Sequence, residues 1–185
     1  MCGRFSVDSR ANSIVSNLFS TRFEAETNSD LWPTQNVSTI IKLNIYQQMD
    51  AQWGIKPNWS KKLIINAQSE TARTKPTFKQ AFQYQRCLVP CNGWFEWKEE
   101  GGEKLKYFFE HVDKSPLYMA GILFQHEVTE LVTMTTTPNT KCAQYHKRMP
   151  VFVEDNQVDY WFDAKPEALT SLFEPLDENT ISIST

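Results

Sequence analysis

The chain lacks long apolar runs. No stretch of its 185 residues approaches the ~20 consecutive apolar residues of a membrane span, and its start carries no signal-peptide core. A helical membrane protein is thereby excluded, and an intracellular, cytoplasmic setting is expected. Cysteine is sparse as well, with only Cys2, Cys87, Cys91 and Cys142. In a reducing compartment these are expected as free thiols rather than a disulfide framework. Cys87-x3-Cys91 has a loose metal-like spacing, but no second cysteine pair accompanies it. No metal and no organic cofactor is therefore expected. Repeats, low-complexity tracts and linkers are also missing, so one domain over residues 1–185 is expected.

Apolar residues make up 41% and aromatic residues 13%, enough for a globular core. The net charge of −3 argues against a nucleic-acid binder, but the charge is segregated. Between Lys56 and Arg86 stand seven basic residues (Lys56, Lys61, Lys62, Arg73, Lys75, Lys79, Arg86) and one acidic residue, Glu70. Between Pro150 and Thr185 there are eight acidic residues and one basic residue, Lys165. A basic segment attracts phosphate whatever the total, although a merely solvated lysine-rich face has the same composition.

The apolar pattern predicts few helices and many short strands. Asp8 or Ser9 can cap a helix to about Ser20, with Ile14/Leu18 and Val15/Phe19 as its stripe. Phe23 to Gln35 reads as polar loop. Val37–Tyr46, Gln48–Trp53 and Leu63–Ile65 read as strands, and Thr77–Tyr84 as a helix after a short one near Ser69. Five further strands are expected at 87–90, 93–98, 107–111, 117–124 and 130–136, with Gly101-Gly102 closing a hairpin. Asn139–Tyr145, Val158–Asp163 and Pro166–Phe173 read as helical, and Val151–Val153 as a short strand. Ile181–Ser184 alternates like a last edge strand. The sum is an α+β domain on a curved, barrel-like antiparallel β core with flanking short helices.

Four places carry chemistry. Removal of Met1 from Met1-Cys2-Gly3-Arg4-Phe5 would leave Cys2 with an α-amine beside its thiol. That amine has a pKa near ~7.8, so roughly a seventh of it is neutral at pH 7. It can condense with an aldehyde to an imine, and the thiol can then close a thiazolidine ring. Asn66, at the end of an apolar strand, is suited to hold a hydroxyl or carbonyl; it is also a common turn residue. In Gly93-Trp94-Phe95-Glu96-Trp97, strand alternation puts Trp94, Glu96 and Lys98 on one face. A carboxylate among aromatics is desolvated and moves towards a neutral pKa, whereas one on an exposed edge strand is not. His146, beside Lys147 and Arg148, is either a neutral base or an ordinary structural histidine.

Taken together, the N-terminal Met-Cys-Gly-Arg-Phe, Trp53-Gly54, Asn66-Ala67-x-x-Glu70-Thr71, Gly93–Trp97 and His146-x-Arg148-Met149-Pro150 resemble the SRAP family of abasic-site processing proteins. The likeness spans about the first 155 residues. It implies a barrel-like core with a basic DNA groove, and covalent capture of abasic sites in single-stranded DNA as a thiazolidine, without a metal. It implies Cys2 as nucleophile, Asn66 as holder of the opened sugar, Glu96 as proton-transfer group, and His146 as promoter of ring opening and reversal. Arg4, Trp53 and Arg148 would lie along the DNA path, joined by Arg73 of the basic stretch. Trp53, Trp59 and Phe78 offer stacking surfaces. The resemblance also implies self-removal of Met1. A monomer is the default expectation, acting on chromosomal DNA in the cytoplasm, or in the nucleus of a eukaryote.

Two departures qualify the picture. Gln68 stands where the family has an arginine that contacts phosphate, so the salt dependence of binding should weaken by about one contact. The region after Leu176 is shorter than usual for the family. Two other classes are compatible with the residues: a non-catalytic single-strand binder, and a thiol autopeptidase acting only on Met1.

Overall fold

The computed structural model describes residues 2–185; the expectation of Met1 removal lies outside the described residues. Among the described residues, twelve strands and five short α-helices form an α+β domain. Five strands close a barrel: β3 (Asn36–Lys42), β4 (Tyr46–Trp53), β6 (Arg86–Cys91), β9 (Leu117–Gln125) and β10 (Thr129–Thr136). The ring runs β10-β4-β3-β6-β9 and back to β10. Every junction is antiparallel except β10 with β4. On β10 two short strands extend this sheet, β5 (Asn66–Gln68) in parallel and β11 (Met149–Pro150) antiparallel.

The second sheet is antiparallel throughout, in the order β12 (Ile181–Ser184), β8 (Glu103–His111), β7 (Gly93–Glu100), β1 (Phe5–Val7) and β2 (Asn28–Leu31). The β7–β8 hairpin turns at Gly101-Gly102, both at positive φ as such a turn requires. β1 ties the two sheets together, because the Phe5 ring lies 4.9 Å from that of Trp53. Ile40, Leu88, Met119, Ile122, Leu123, Leu131 and Val132 of these strands are buried, with Ile40, Leu88, Ile122 and Val132 on one face of the sheet and Met119, Leu123 and Leu131 on the other.

The helices are α1 (Asn12–Leu18), α2 (Ser69–Ala72), α3 (Pro76–Tyr84), α4 (Thr140–Ala143) and α5 (Val158–Asp163). Asp8 caps the turn before α1 by accepting from the Arg10 N–H, and Asn139 caps α4 by accepting from the Cys142 N–H at 2.8 Å. Residues 166–173 form 3-10 rather than α turns.

Four expectations need correction. The strand expected at Leu63–Ile65 begins only at Asn66, and before it Ile64 makes a single bridge to Ile55. The polar stretch 23–35 contains β2, whose few apolar side chains hid it; Leu31 pairs with Phe5 across a register irregularity. Strand 37–46 breaks after Lys42, and the chain reverses at 43–45. The strand expected at 151–153 lies instead at Met149–Pro150, followed by a single bridge from Phe152 to Met119.

Gly93 is demanded by the close approach of β8. A Cβ there would lie 2.1 Å from the Phe109 carbonyl oxygen and 2.7 Å from the Phe108 ring. Gly93→Ala is therefore expected to cost about 3 kcal/mol, read by urea unfolding, because the neighbouring backbone has to move. Unfolding at the wild-type midpoint would refute this packing.

Candidate active site

Pairing of Phe5 with Trp94 sets β1 along β7, and the Phe95 N–H donates to the Arg4 carbonyl at 3.0 Å. The chain before Phe5 thus continues beside β7 towards Glu96. Cys2 is 1% exposed there, with its thiol 3.8 Å from the Arg4 carbonyl. Burial, then the Glu96 carboxyl and the Cys91 thiol, push the Cys2 thiol well above its ordinary pKa. It stays S–H at neutral pH.

Asn66 Nδ2 donates to the Cys2 carbonyl at 2.9 Å. The strand end that presents Asn66 is β5, held parallel to β10 with Asn66 opposite Thr133. The turn-residue reading of Asn66 is therefore set aside, since its side chain bridges 64 positions of sequence.

Glu96 is 3% exposed on the inner face of β7, with Trp94 on the same face. β7 lies between β8 and β1, so the exposed-edge reading fails. Burial pushes the Glu96 carboxyl up to about 7. A carboxyl raised in this way is suited to proton transfer near neutral pH. The same burial makes stability depend on pH. The unfolded carboxyl titrates near 4.5, so its penalty is absent below that pH and is complete once pH passes about 7. Glu96→Gln should thus gain up to about 3 kcal/mol relative to wild type between pH 4 and pH 8. Melting curves of both proteins at the two pH values check this, and a constant difference would contradict the burial argument.

Cys142, on α4, also senses the Glu96 carboxyl, and the His146 N–H donates to the Cys142 carbonyl at 3.1 Å. This turn follows α4 and fixes the backbone at His146. His146 is half-buried, and its Nδ1 lies 3.1 Å from the Arg148 backbone nitrogen. Burial first, opposed by the Arg148 backbone contact and aided by Lys147, holds its pKa below the usual histidine value. The ring is neutral at pH 7. Tyr145 beside it is wedged edge-on against Phe109 and Tyr107, under the Lys98 ammonium.

The residues expected along DNA fall into different environments. Arg4 points to the outer face of the second sheet, 4.8 Å over the half-exposed Trp32 ring and 3.4 Å from Asp30. Lys106 joins it, 2.8 Å from Asp30 and 3.9 Å over the Phe95 ring. Arg148 forms a bidentate pair with Glu70 at 2.7 and 2.8 Å and donates to the Thr135 carbonyl at 2.5 Å. That pairing lowers the Glu70 pKa. Arg73 is exposed at the end of α2, lining a cleft of about 390 Å³ with Ser69, Glu70 and Thr136.

Trp53 is a correction. It is fully buried, and its indole N–H donates to the Ile65 carbonyl at 3.1 Å, so it builds the core and offers no face to a base. Phe78 is likewise buried, whereas Trp59 is 70% exposed. The reading of the sequence missed Trp32, Lys106 and Thr133. Only the outward alternation of Phe95 and Trp97 hinted at the first two. Among the described residues no three His, Cys, Asp or Glu side chains gather as metal ligands, and no helix is long and apolar enough to cross a membrane.

A two-sheet α+β fold with a buried N-terminal cysteine, an asparagine on its carbonyl and a buried glutamate beside it defines a class. The SOS response associated peptidase (SRAP) family model matches residues 1–185, and the chain belongs to that family. It is 28% identical over 197 residues to the abasic site processing protein YoqW of Bacillus subtilis, covering 96% of this chain and 88% of that protein. It is 29% identical over 176 residues to the abasic site processing protein YedK of Escherichia coli, covering 87% and 79%. A crystal structure of a Bordetella bronchiseptica protein superposes with a TM-score of 0.88 at 21% identity, over 99% of this chain and 98% of that one. A phage-related protein of the same organism gives 0.82 at 27% identity, over 99% and 93%.

Proposed function

We propose that this protein processes abasic sites in single-stranded DNA by forming a covalent thiazolidine between Cys2 and the ring-opened sugar. The observation that carries the reading is the hydrogen bond from Asn66 to the Cys2 carbonyl, next to the buried Glu96. It holds the backbone of the reacting residue, so that amine and thiol are presented together.

The order of steps follows from the thiol being held as S–H. Once Met1 has been removed, by an aminopeptidase or by the protein itself, the Cys2 amine attacks the aldehyde carbon first. The carbinolamine loses water to give an imine. The sulfur then bonds to the imine carbon while its proton passes to the nitrogen, with Glu96 as relay at a pKa matched to neutral pH. The net change is loss of one water. The neutral His146 acts as the base that opens the sugar ring.

The outer face carrying Arg4, Trp32, Phe95, Trp97 and Lys106 suits unpaired bases and phosphates. The exposed Lys56, Lys61, Lys62, Arg73, Lys75 and Lys79 supply further cations. Arg148 reaches a phosphate only by sharing or leaving Glu70.

The test is a denaturing-gel assay of Met1-free protein with single-stranded DNA containing one abasic site, beside intact and duplex controls. A heat-stable shifted band is expected with the abasic strand alone. A native gel shift without that band would leave a non-catalytic binder, and loss of Met1 from the full-length chain, read by intact mass, with neither shift nor band would leave an autopeptidase.

A further inference from the structure

We infer that Thr133 is a positioning residue of the Cys2 site, which fixes the Asn66 amide so that it meets the sugar as an N–H donor. This rests on the reading of Cys2 given above. Thr133 is 1% exposed in β10, directly opposite Asn66. Its hydroxyl lies 2.6 Å from Asn66 Oδ1 and 3.2 Å from the Ile65 carbonyl.

A carbonyl oxygen only accepts, and the Cys2 carbonyl lies 2.9 Å from one end of the Asn66 amide. Turning the amide over would set oxygen against oxygen at that distance. The NH2 end therefore faces Cys2, and Oδ1 faces Thr133. The single hydroxyl proton of Thr133 is thus directed to Oδ1, the shorter of its two contacts. One Nδ2 proton serves Cys2, which leaves the other for a ligand oxygen. Asn66 then recognises an acceptor, such as an aldehyde oxygen or the lone pair of a sugar hydroxyl. Thr133 touches neither the reacting atoms nor the sugar and acts through Asn66.

The experiment compares wild type, Thr133→Val, Thr133→Ser and Asn66→Ala with the double variant Thr133→Val/Asn66→Ala. Single-turnover crosslinking to abasic single-stranded DNA gives the rate at saturation and the half-saturating concentration. Valine keeps the shape and removes the proton. The saturated rate should fall about tenfold or more, since small misplacements of a positioning group are costly. Half-saturation should stay unchanged, serine should restore the rate, and Thr133→Val should cost nothing further in the Asn66→Ala background. A wild-type rate in Thr133→Val, or an equal further loss in the double variant, would overturn the inference.

Side-chain amide exchange of Asn66 by NMR separates this from the Cys2 chemistry. Protection is expected in wild type and Thr133→Ser and should be lost in Thr133→Val. Protection retained in Thr133→Val would also overturn the inference. If wild type forms no adduct, the reading of Cys2 fails, and the amide measurement still decides the role of Thr133.

Discussion

Met1-free Cys2→Ser is expected to lose the heat-stable adduct, to about a hundredth of wild type or less, while still being trapped on abasic DNA by borohydride. The substitution divides the two functions of Cys2. Serine keeps the α-amine, so the imine still forms and can be reduced to a stable amine. Its hydroxyl is a far weaker nucleophile than a thiol, so ring closure fails and the unreduced imine hydrolyses. DNA affinity should hardly change, because residue 2 is buried and the cations of the outer face are untouched. Borohydride trapping followed by a denaturing gel reads both quantities at once. An undiminished heat-stable band in Cys2→Ser would mean that the thiol is not a partner in the bond. Loss of trapping as well would mean that the amine needs the thiol even to begin.

The second large effect is on stability. Arg86→Ala is expected to cost about 3–5 kcal/mol and to lower the melting temperature by about 10 °C. The Arg86 guanidinium donates to five backbone carbonyls: Trp161, Phe82, Gln83, Phe162 and Ala164, at 2.7 to 3.3 Å. These carbonyls lie around the ends of α3 and α5, where helices leave acceptors unpaired. Charge-assisted bonds contribute about 1.5–3 kcal/mol each, but carbonyls that regain water offset part of the loss, so the five do not add fully. Arg86→Lys should recover only a fraction, since an ammonium cannot span acceptors arranged for a planar fork. Thermal unfolding of the three proteins decides this, and an alanine variant within about 1 kcal/mol of wild type would show the cage to be dispensable.

Arg86 also shows why charge counting reads a surface imperfectly. In the sequence it is one of seven cations in a basic stretch. In the fold its charge is turned inward, and the other six are exposed. Trp53 misleads in the same way. A tryptophan beside a glycine turn in a basic region suggests a stacking platform, but barrel closure pairs it, at the end of β4, with Leu131 of β10 and sets its ring against Phe5. Local pattern gives the residue type, and only long-range pairing gives the side that it faces.

What was legible came from periodicity and from chemistry that cannot be replaced. The period-two alternation of 93–98 put Glu96 among aromatics, and the fold buries it there. Asp8, read as a capping residue, caps the turn that leads into α1. β2 was not legible, because a short strand of Asn, Ser, Asp and Leu has neither β-branched residues nor a clear apolar face. The barrel closure of β9, β10 and β4 was not legible either, since a parallel contact between distant strands leaves no local trace. For the same reason Thr133 read as one more β-branched strand residue. Its importance arises only when β5 brings Asn66 beside it.

The most direct test of the central claim is intact-protein mass spectrometry of Met1-free protein mixed with single-stranded DNA carrying one abasic site, without reductant. The account predicts one new species, of mass equal to protein plus DNA less one water, that survives heating and is absent with intact DNA. Met1-free protein that binds the strand and yields no such mass would contradict it.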